Sequence, residues 1–581
     1  MSRSHVKPNT WVALRLPNED LRVLQAAPDT TISLGKYGSF PSNLIIGRPF
    51  HLTYEVQDKQ EDENFSRLRV VPATELNADA LADTTNNKED AEDESEQADE
   101  VIEAADGEEL TLVDESGQVV ARSKREVLDA SARQKLTIEE IEELKKKGAS
   151  AGKDLIAKLL LSHTALDQKT EYSLAKYKLL KLKKYIRRFT VLPLDVPLLA
   201  HWMLEDRDAA KILEMRQEFL GLIGCWADVH FAAPPAEGAE GPHGGRWLVV
   251  DDASGMLVAA MAERMGFLYP EEEEDEEEEI LAPDEEVNDA EMTNANGGRE
   301  EGFETNREQP LAQPKNAKKR ARGDDLDLPY APNNTITVIH HNTQANLSLL
   351  RYFDFDNTDP NPYPPYHPLF TNILPISWLQ LVSPETDPTY TDKPVEVSPE
   401  ELASWKTNRR GNYHRKRRRW ARTKHIVEST MAGGFSGLAT ASTLDPISLL
   451  RHTLPLLAGG APIAVYCQSI EPLTQLAECF SVSRRGAWVS DPPAETDGMT
   501  REELERWEGS AEFPVNPTLV LGASIQSSRA RRWQVLPGRT HPLMTERGGA
   551  EGYLFTGWKA LPVEGRIEAR GKYKRRKGET V

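Results

Sequence analysis

Four residue groups could do chemistry, and the first is a polar turn, Asp251-Asp252-Ala253-Ser254-Gly255. It lies between an apolar run, Trp247 to Val250, and a helix-forming stretch that opens at Met256 and meets a stop at Gly266. Strand, tight turn and helix in that order present backbone N–H groups to a phosphate or a nucleotide cofactor. Such a turn needs two or three glycines so that backbone and ligand approach closely. Here Gly255 stands alone, and Met256 and Leu257 follow where small residues are wanted. The second group is His340-His341, at the end of the next strand, where a ribose would require an acid. The third is Asp445 in Leu444-Asp445-Pro446, and an isolated Asp before Pro is more often a helix start than a base. The turn therefore reads as a nucleotide-type fold that has lost its ligand site.

The fourth group is basic, and its chemistry is phosphate binding, which Lys and Arg dominate. One cluster is Lys176, Lys178, Lys181, Lys183, Lys184, Arg187 and Arg188, interleaved with Tyr177 and Tyr185. On a helix its bases spread around much of the circumference, and the alternative is a solvated basic helix. A second cluster, Lys124, Arg125, Arg133 and Lys135, otherwise reads as an exposed linker. A third runs from Arg409 to Lys424 and includes Arg415, Arg418 and Arg422, with Tyr413 and Trp420 available for stacking. Its alternative role is neutralising the chain's own acidic segments. Arg207 is a weaker candidate.

The 581-residue length suggests two or three domains. No stretch reaches the roughly 18 apolar residues that span a bilayer, so no membrane role is expected. Three cysteines, Cys225, Cys467 and Cys479, show neither C-x-x-C nor zinc spacing and read as buried, reduced thiols. No metal is expected. The net charge of −23 is set by two segments. Residues 77–109 hold 14 acids and one base, and residues 270–308 hold 18 acids and two bases, which leaves +6 for everything else. Both segments read as disordered inserts that compete with weakly bound RNA. Lys318-Lys319-Arg320-Ala321-Arg322 could act as a nuclear import signal, giving a nuclear localisation.

These groups must be positioned by recognisable elements. Short strand-like runs at 10–16, 21–25, 32–34, 51–56 and 68–71, with a hairpin over 110–121, predict a small antiparallel β-barrel or sandwich over residues 1–135, carrying the 77–109 insert. Gly35-Lys36-Tyr37-Gly38 reads as a corner of it. Residues 136–190 predict a basic helical connector, with helices at about 137–144, 151–161 and 173–189. Residues 191–565 predict an α/β, Rossmann-like methyltransferase-type sheet interrupted by the 270–330 insert. Its elements are strand 335–340, helix 346–353, irregular 357–375, helix 400–430, then strands and helices at 437–441, 446–457, 462–467, 471–480, 518–523 and 553–558. The last strand enters antiparallel. Residues 566–581 are a basic tail.

Several segments, in order, resemble one family. They are Leu34-Gly-Lys-Tyr-Gly38, Gln134-Lys-Leu-Thr137 with Ile141-Glu-Glu-Leu-Lys145, Lys169-Thr-Glu-Tyr172, Met261-Ala-Glu-Arg-Met-Gly266, Val465-Tyr-Cys-Gln468, Trp533-Gln-Val-Leu-Pro-Gly-Arg-Thr-His-Pro542 and Tyr553-Leu-Phe-Thr-Gly557. The chain is similar to the non-catalytic, tRNA-binding subunit of eukaryotic tRNA (adenine-58-N1)-methyltransferase. The resemblance implies an N-terminal β-barrel and a methyltransferase-like domain with no cofactor of its own. S-adenosylmethionine and the catalytic acid would sit on a partner subunit, two copies of each forming a heterotetramer. It places tRNA near Lys124 to Lys135 and puts Asp445 where the catalytic partner carries its acid, while Arg539 and His541 read as structural or subunit-interface residues. Two other readings stand beside it. One is a self-sufficient S-adenosylmethionine-dependent RNA methyltransferase using Asp445. The other is a nuclear RNA-binding factor in translation or assembly.

Overall fold

The computed structural model describes residues 4–57, 65–76, 101–103, 109–113, 119–124, 156, 158–159, 171–232, 244–270, 333–357, 367–528, 530, 533–536, 539–542 and 550–563. The N-terminal unit contains β1 (Trp11–Arg15), β2 (Leu21–Gln25), β3 (Thr31–Ser33), β4 (Ser39–Pro41), β5 (Thr53–Val56) and β6 (Leu68–Val70). Alternation along β1 sends Val12 and Leu14 into the N-terminal core, while Ala13 between them joins the core of the next unit. With a later strand, β10 (Arg188–Pro193), they form an antiparallel sheet in the order β2-β1-β10-β5-β6, and β3 pairs with β4 as a separate hairpin.

The central strand, β10 (Arg188–Pro193), was not evident in the sequence, where its first residues read as the end of the basic segment. It pairs with β1 on one side and β5 on the other, so a boundary at residue 190 falls inside a strand. Phe189 of β10 stacks on Phe40 and Tyr54, with ring centroids 4.9 and 5.5 Å apart. A further three-stranded sheet holds β7 (Val101–Glu103), β8 (Glu109–Val113) and β9 (Val119–Lys124). The hairpin expected near 110–121 is therefore present. Strand β7 corrects the expectation of disorder throughout 77–109: its apolar pair Val101-Ile102 aligns with Leu112 and Thr111.

Of the connector, α1 (Glu171–Tyr185) is described, and it ends before the expected residue 189 because β10 begins. The expected helix at 137–144 lies outside the described residues. Ile156, Lys158 and Leu159 are helical within the expected 151–161 segment, with Ile156 and Leu159 buried.

The C-terminal unit is a seven-stranded sheet in the order β13-β12-β11-β14-β15-β19-β16. Its strands are β11 (Arg246–Asp251), β12 (Thr335–His340), β13 (Ile373–Ser377), β14 (Gly437–Ala441), β15 (Pro462–Cys467), β16 (Val520–Gln526) and β19 (Tyr553–Lys559). β11 to β15 are parallel, and β19 pairs antiparallel with both β15 and β16. Strand order reverses at β11, the switch point where doubly wound sheets bind ligands. The continuous apolar run in β11 is buried on both faces, as covered parallel strands require. One face is covered by α2 (Val196–Glu205), α3 (Gln217–Trp226) and α4 (Met256–Met265), together with Leu21 and Val23 of the N-terminal sheet. The other face packs Ile426 and Val427, with Leu449, Leu450, Leu473 and Leu476 from two later helices.

Three expectations are corrected here. Residues 346–353 form no α-helix but a single 3-10 turn, Leu350–Phe353, because Leu349 N–H bonds the Ser254 carbonyl at 3.1 Å and folds the segment onto the β11–α4 turn. The stretch 357–375 ends in β13, and Pro375 is tolerated because β13 is an edge strand with one partner. The helix expected over 400–430 is two, α5 (Pro399–Ser404) and α6 (Thr407–Met431), separated by the extended Trp405 and Lys406. The 270–330 insert, apart from Pro270, and the 566–581 tail lie outside the described residues. Among those described, no helix is long and apolar enough to cross a membrane.

Candidate nucleic-acid interface

The β11–α4 turn is closed by its own side chains. Asp251 is 6% exposed, and its carboxylate accepts the N–H of Ala253 at 2.7 Å and of Val258 at 2.9 Å. Burial pushes its pKa up to about 6 against the pull of those bonds. Ser254 and Gly255 both take positive φ, at 60° and 90°, to turn the chain within two residues. A Cβ on Gly255 would lie 3.1 Å from Leu347 Cα, so backbone of the segment after β12 already rests on the glycine. Leu347, Met256 and Leu257 are buried around it. Asp252 is bridged on two sides: Ser442 donates to it at 2.5 Å, and His341 lies 3.4 Å away. Burial, reinforced by His341, holds the His340 imidazole below its usual range. Asp445 caps a helix, Pro446–Thr453, by accepting the Ser448 N–H at 2.9 Å.

The basic cluster on α1 is docked against the N-terminal unit. The Tyr37 hydroxyl, at the end of a buried ring, donates to the Lys183 carbonyl at 2.9 Å. Lys183 pairs with Glu19 at 3.1 Å. Lys181 lies 4.8 Å from the Tyr177 ring centroid and 5.9 Å from that of Tyr185, and Lys184 lies 5.4 Å from Tyr185. These contacts fix the stems and leave Lys176 and Lys184 exposed, with Lys178, Lys181 and Arg187 half-buried. Arg188 is a correction: it points inward at 9% exposure and pairs with Glu55 and Glu75, which Arg69 also engages. As the first residue of β10 it is turned to the inside of the sheet and is not a surface cation.

On α6, Arg415 and Arg418 are exposed, as are Arg409, Arg410, Lys416 and Arg419. Arg422 is a second correction. Its guanidinium donates to the carbonyls of Phe370 and Ile373 at 3.1 and 3.2 Å, which pins the helix to β13. The aromatic residues expected to stack on bases are also occupied. Trp420 donates to the Tyr390 carbonyl at 3.0 Å, and the Tyr413 hydroxyl accepts the Val397 N–H at 3.3 Å. Arg207 is exposed and lies 4.7 Å from the Trp202 ring centroid. Lys124 ends β9, and Arg125, Arg133 and Lys135 lie outside the described residues. Cys225 is exposed, against the expectation for all three thiols, because it lies on the outer side of α3.

The model of the Gcd10p family matches residues 5–406. The chain belongs to the Gcd10p family. Its similarity extends along the whole length. The tRNA (adenine(58)-N(1))-methyltransferase non-catalytic subunit trm6 of Aspergillus oryzae is 44% identical, covering 100% of this chain and 96% of that protein. The protein of the same name from Aspergillus fumigatus is 42% identical over 99% and 95%. The Mus musculus protein of that name is 24% identical over 75% of this chain and 73% of its own. The tRNA (m1A58) methyltransferase TrmI of Aquifex aeolicus aligns over 96% of this chain and 100% of its own, at 8% identity and a TM-score of 0.34.

For this Gcd10p-family chain, residue type alone separated the surface bases poorly from the structural ones. Glu55 and Glu75, which engage Arg188, are distant in sequence and carry no local signal. Tyr37 was visible only as part of a glycine-flanked turn, and Leu347 only as one leucine of an apparent helix. Among the described residues no cluster of His, Cys, Asp and Glu could hold a metal.

Proposed function

We propose that this chain is the non-catalytic, tRNA-binding subunit of a tRNA (adenine-58-N1)-methyltransferase. A separate subunit binds S-adenosylmethionine and carries the reaction, and this chain holds the tRNA for it. The observation that carries the proposal is the closed β11–α4 turn. Leu347 backbone rests on Gly255, Asp251 is consumed as a cap, and His340 stands at the end of β12. A cofactor would have to displace a packed segment and would find no acid for its ribose. The residues do not fit S-adenosylmethionine. Asp445 is engaged in starting a helix, so a self-sufficient enzyme has no support from its geometry.

Phosphate binding falls first to Lys176, Lys178, Lys181 and Lys184 on α1, which Tyr37 and Glu19 hold in place through Lys183. In this reading the N-terminal strands form a barrel-like unit that presents α1. The hairpin of β17 (Trp533–Leu536) and β18 (Arg539–Pro542) leaves Trp533 and Val535 exposed at 58% and 72%. We assign it to subunit contact within a heterotetramer of two such chains and two catalytic ones. Residues 318–322 would direct the assembly to the nucleus.

The test is methyl transfer from labelled S-adenosylmethionine to unmodified tRNA, with this chain alone and with the catalytic subunit. No transfer alone and robust transfer together are expected. Transfer by the chain alone, or saturable S-adenosylmethionine binding to it, refutes the proposal. Replacing Lys178, Lys181 and Lys184 by Gln should weaken tRNA binding and reduce the slope of log affinity against log salt by about two to three.

A further inference from the structure

Strands β16 and β19 are neighbours in the sheet, with Gln526 opposite Leu554, yet the chain does not turn directly from one into the other. Residues 527–552 run between them and carry the β17–β18 hairpin. A two-stranded hairpin is marginally stable alone, and a long connection between paired strands does not by itself fix where it points. The stance of the hairpin therefore needs an anchor at its base, and one residue supplies it.

Arg216 stands at the N-cap position of α3, where Ser, Thr, Asp or Asn would serve the helix better and where the dipole disfavours a cation. Its side chain makes no capping bond. The guanidinium turns instead to the two legs of the excursion. Nη2 donates to the carbonyl of Ser528 on the outgoing leg, and Nη1 donates to the carbonyl of Ala550 on the returning leg at 2.5 Å. Nε donates to the Glu218 carboxylate at 2.6 Å, which fixes the plane of the fork. The Arg216 side chain is 11% exposed, and its guanidinium lies 5.2 Å from the ring centroid of the buried Phe219. The returning leg rests on the same ring. Gly552 takes a φ of 74°, and a Cβ there would come within 2.8 Å of Phe219 and 3.0 Å of Tyr466. One side chain thus joins both legs to α3 and to the core beneath. Lysine could not replace it, because a single nitrogen cannot serve two carbonyls and a carboxylate in the fork geometry of a guanidinium. α1 also touches β17, but on the hairpin itself and not at its base.

We infer that Arg216 is a positioning residue for the catalytic partner: by holding both legs of the excursion it sets the stance in which Trp533 and Val535 meet that subunit. The inference rests on the assignment of the hairpin to subunit contact. A hairpin already held in place meets its partner without the cost of ordering it, so the gain lies in association and not in the chemical step.

The experiment uses the full chain with its catalytic subunit, and Arg216→Lys as the variant. In the free chain, amide hydrogen exchange should quicken about tenfold or more over 533–536 and 539–542 and stay unchanged over β14 and β15. Association with the catalytic subunit should weaken about tenfold or more, while methyl transfer at saturating catalytic subunit recovers to that of the unaltered pair. Glu218→Gln keeps both carbonyl bonds and frees the fork to rotate, so it should move both readouts the same way by a smaller factor. In a chain also carrying Trp533→Ala and Val535→Ala, Arg216→Lys should weaken association no further, since both changes act through one contact. Unchanged exchange in the hairpin would overturn the inference. So would exchange quickened equally over β14 and β15, or a fully additive loss of association in the Trp533→Ala, Val535→Ala background, either of which makes Arg216 a structural residue only. Undiminished association of the Trp533→Ala, Val535→Ala chain itself would instead refute the assignment of the hairpin to subunit contact, whatever the exchange shows.

Discussion

Single residues of like type do opposite work in this chain, and burial decides which. Asp251 looks in sequence like a ligand-facing acid, but its two oxygens serve the N–H groups of Ala253 and Val258. Asp251→Ala should therefore cost about 2 kcal/mol or more in urea unfolding, since it strands two buried donors. The raised pKa also sets a sign. The folded state favours the protonated acid, so that contribution is present below about pH 4 and is lost as pH rises through about 6. Unfolding free energies measured from pH 4 to 7 should show this fall in the native chain and lack it in Asp251→Ala. Arg422 makes the complementary case. Arg422→Ala should lower the thermal midpoint by freeing the carbonyls of Phe370 and Ile373, while leaving the salt slope of tRNA binding unchanged. The sequence could not separate Arg422 from Arg418, or Arg188 from Lys184. The difference lies in partners remote along the chain.

At the scale of elements, periodicity was a good guide wherever one face is buried and the element is regular. β1, β2, β11, β12, β14, β15 and β19 were all legible because their alternating or continuous apolar runs match their exposure. Three elements were not. β13 was hidden by Pro375, which only an edge position tolerates. β10 was hidden because it follows a lysine-rich helix without a turn signal. The apparent helix at 346–353 has helical leucine spacing, but those leucines pack as an irregular segment over Gly255. Gly255→Ala tests that packing. It places a Cβ 3.1 Å from Leu347 Cα at a φ of 90°, and should destabilise the C-terminal unit by about 1–3 kcal/mol. The break at Trp405 has its own consequence. Trp405→Ala removes the ring under Arg409, and amide hydrogen exchange should quicken over residues 407–415 more than over 424–431.

For the whole molecule, the overall charge of −23 conceals a basic body, and the charge split was legible because the acidic runs are contiguous. Deleting residues 270–308 should raise affinity for random-sequence RNA at low salt more than affinity for tRNA, because a diffuse negative field opposes weak electrostatic binding first. An unchanged ratio of the two affinities would remove that role from the acidic segment. What composition did not convey is the interlocking of the units: Ala13, Leu21 and Val23 of the first sheet share a core with Trp202 and Met256, on helices of the second unit. The central position of β10 adds a consequence in time. A ribosome releases β1, β2, β5 and β6 and then makes residues 71–187 before the strand that joins β1 to β5 exists. At translation rates of about 5–20 residues per second, that gap is on the order of ten seconds. Throughout it, Phe40 and Tyr54 lack Phe189, and two strand edges stay open. The nascent N-terminal unit is thus a natural client for chaperones, and its vulnerability to aggregation ends when Pro193 clears the exit tunnel.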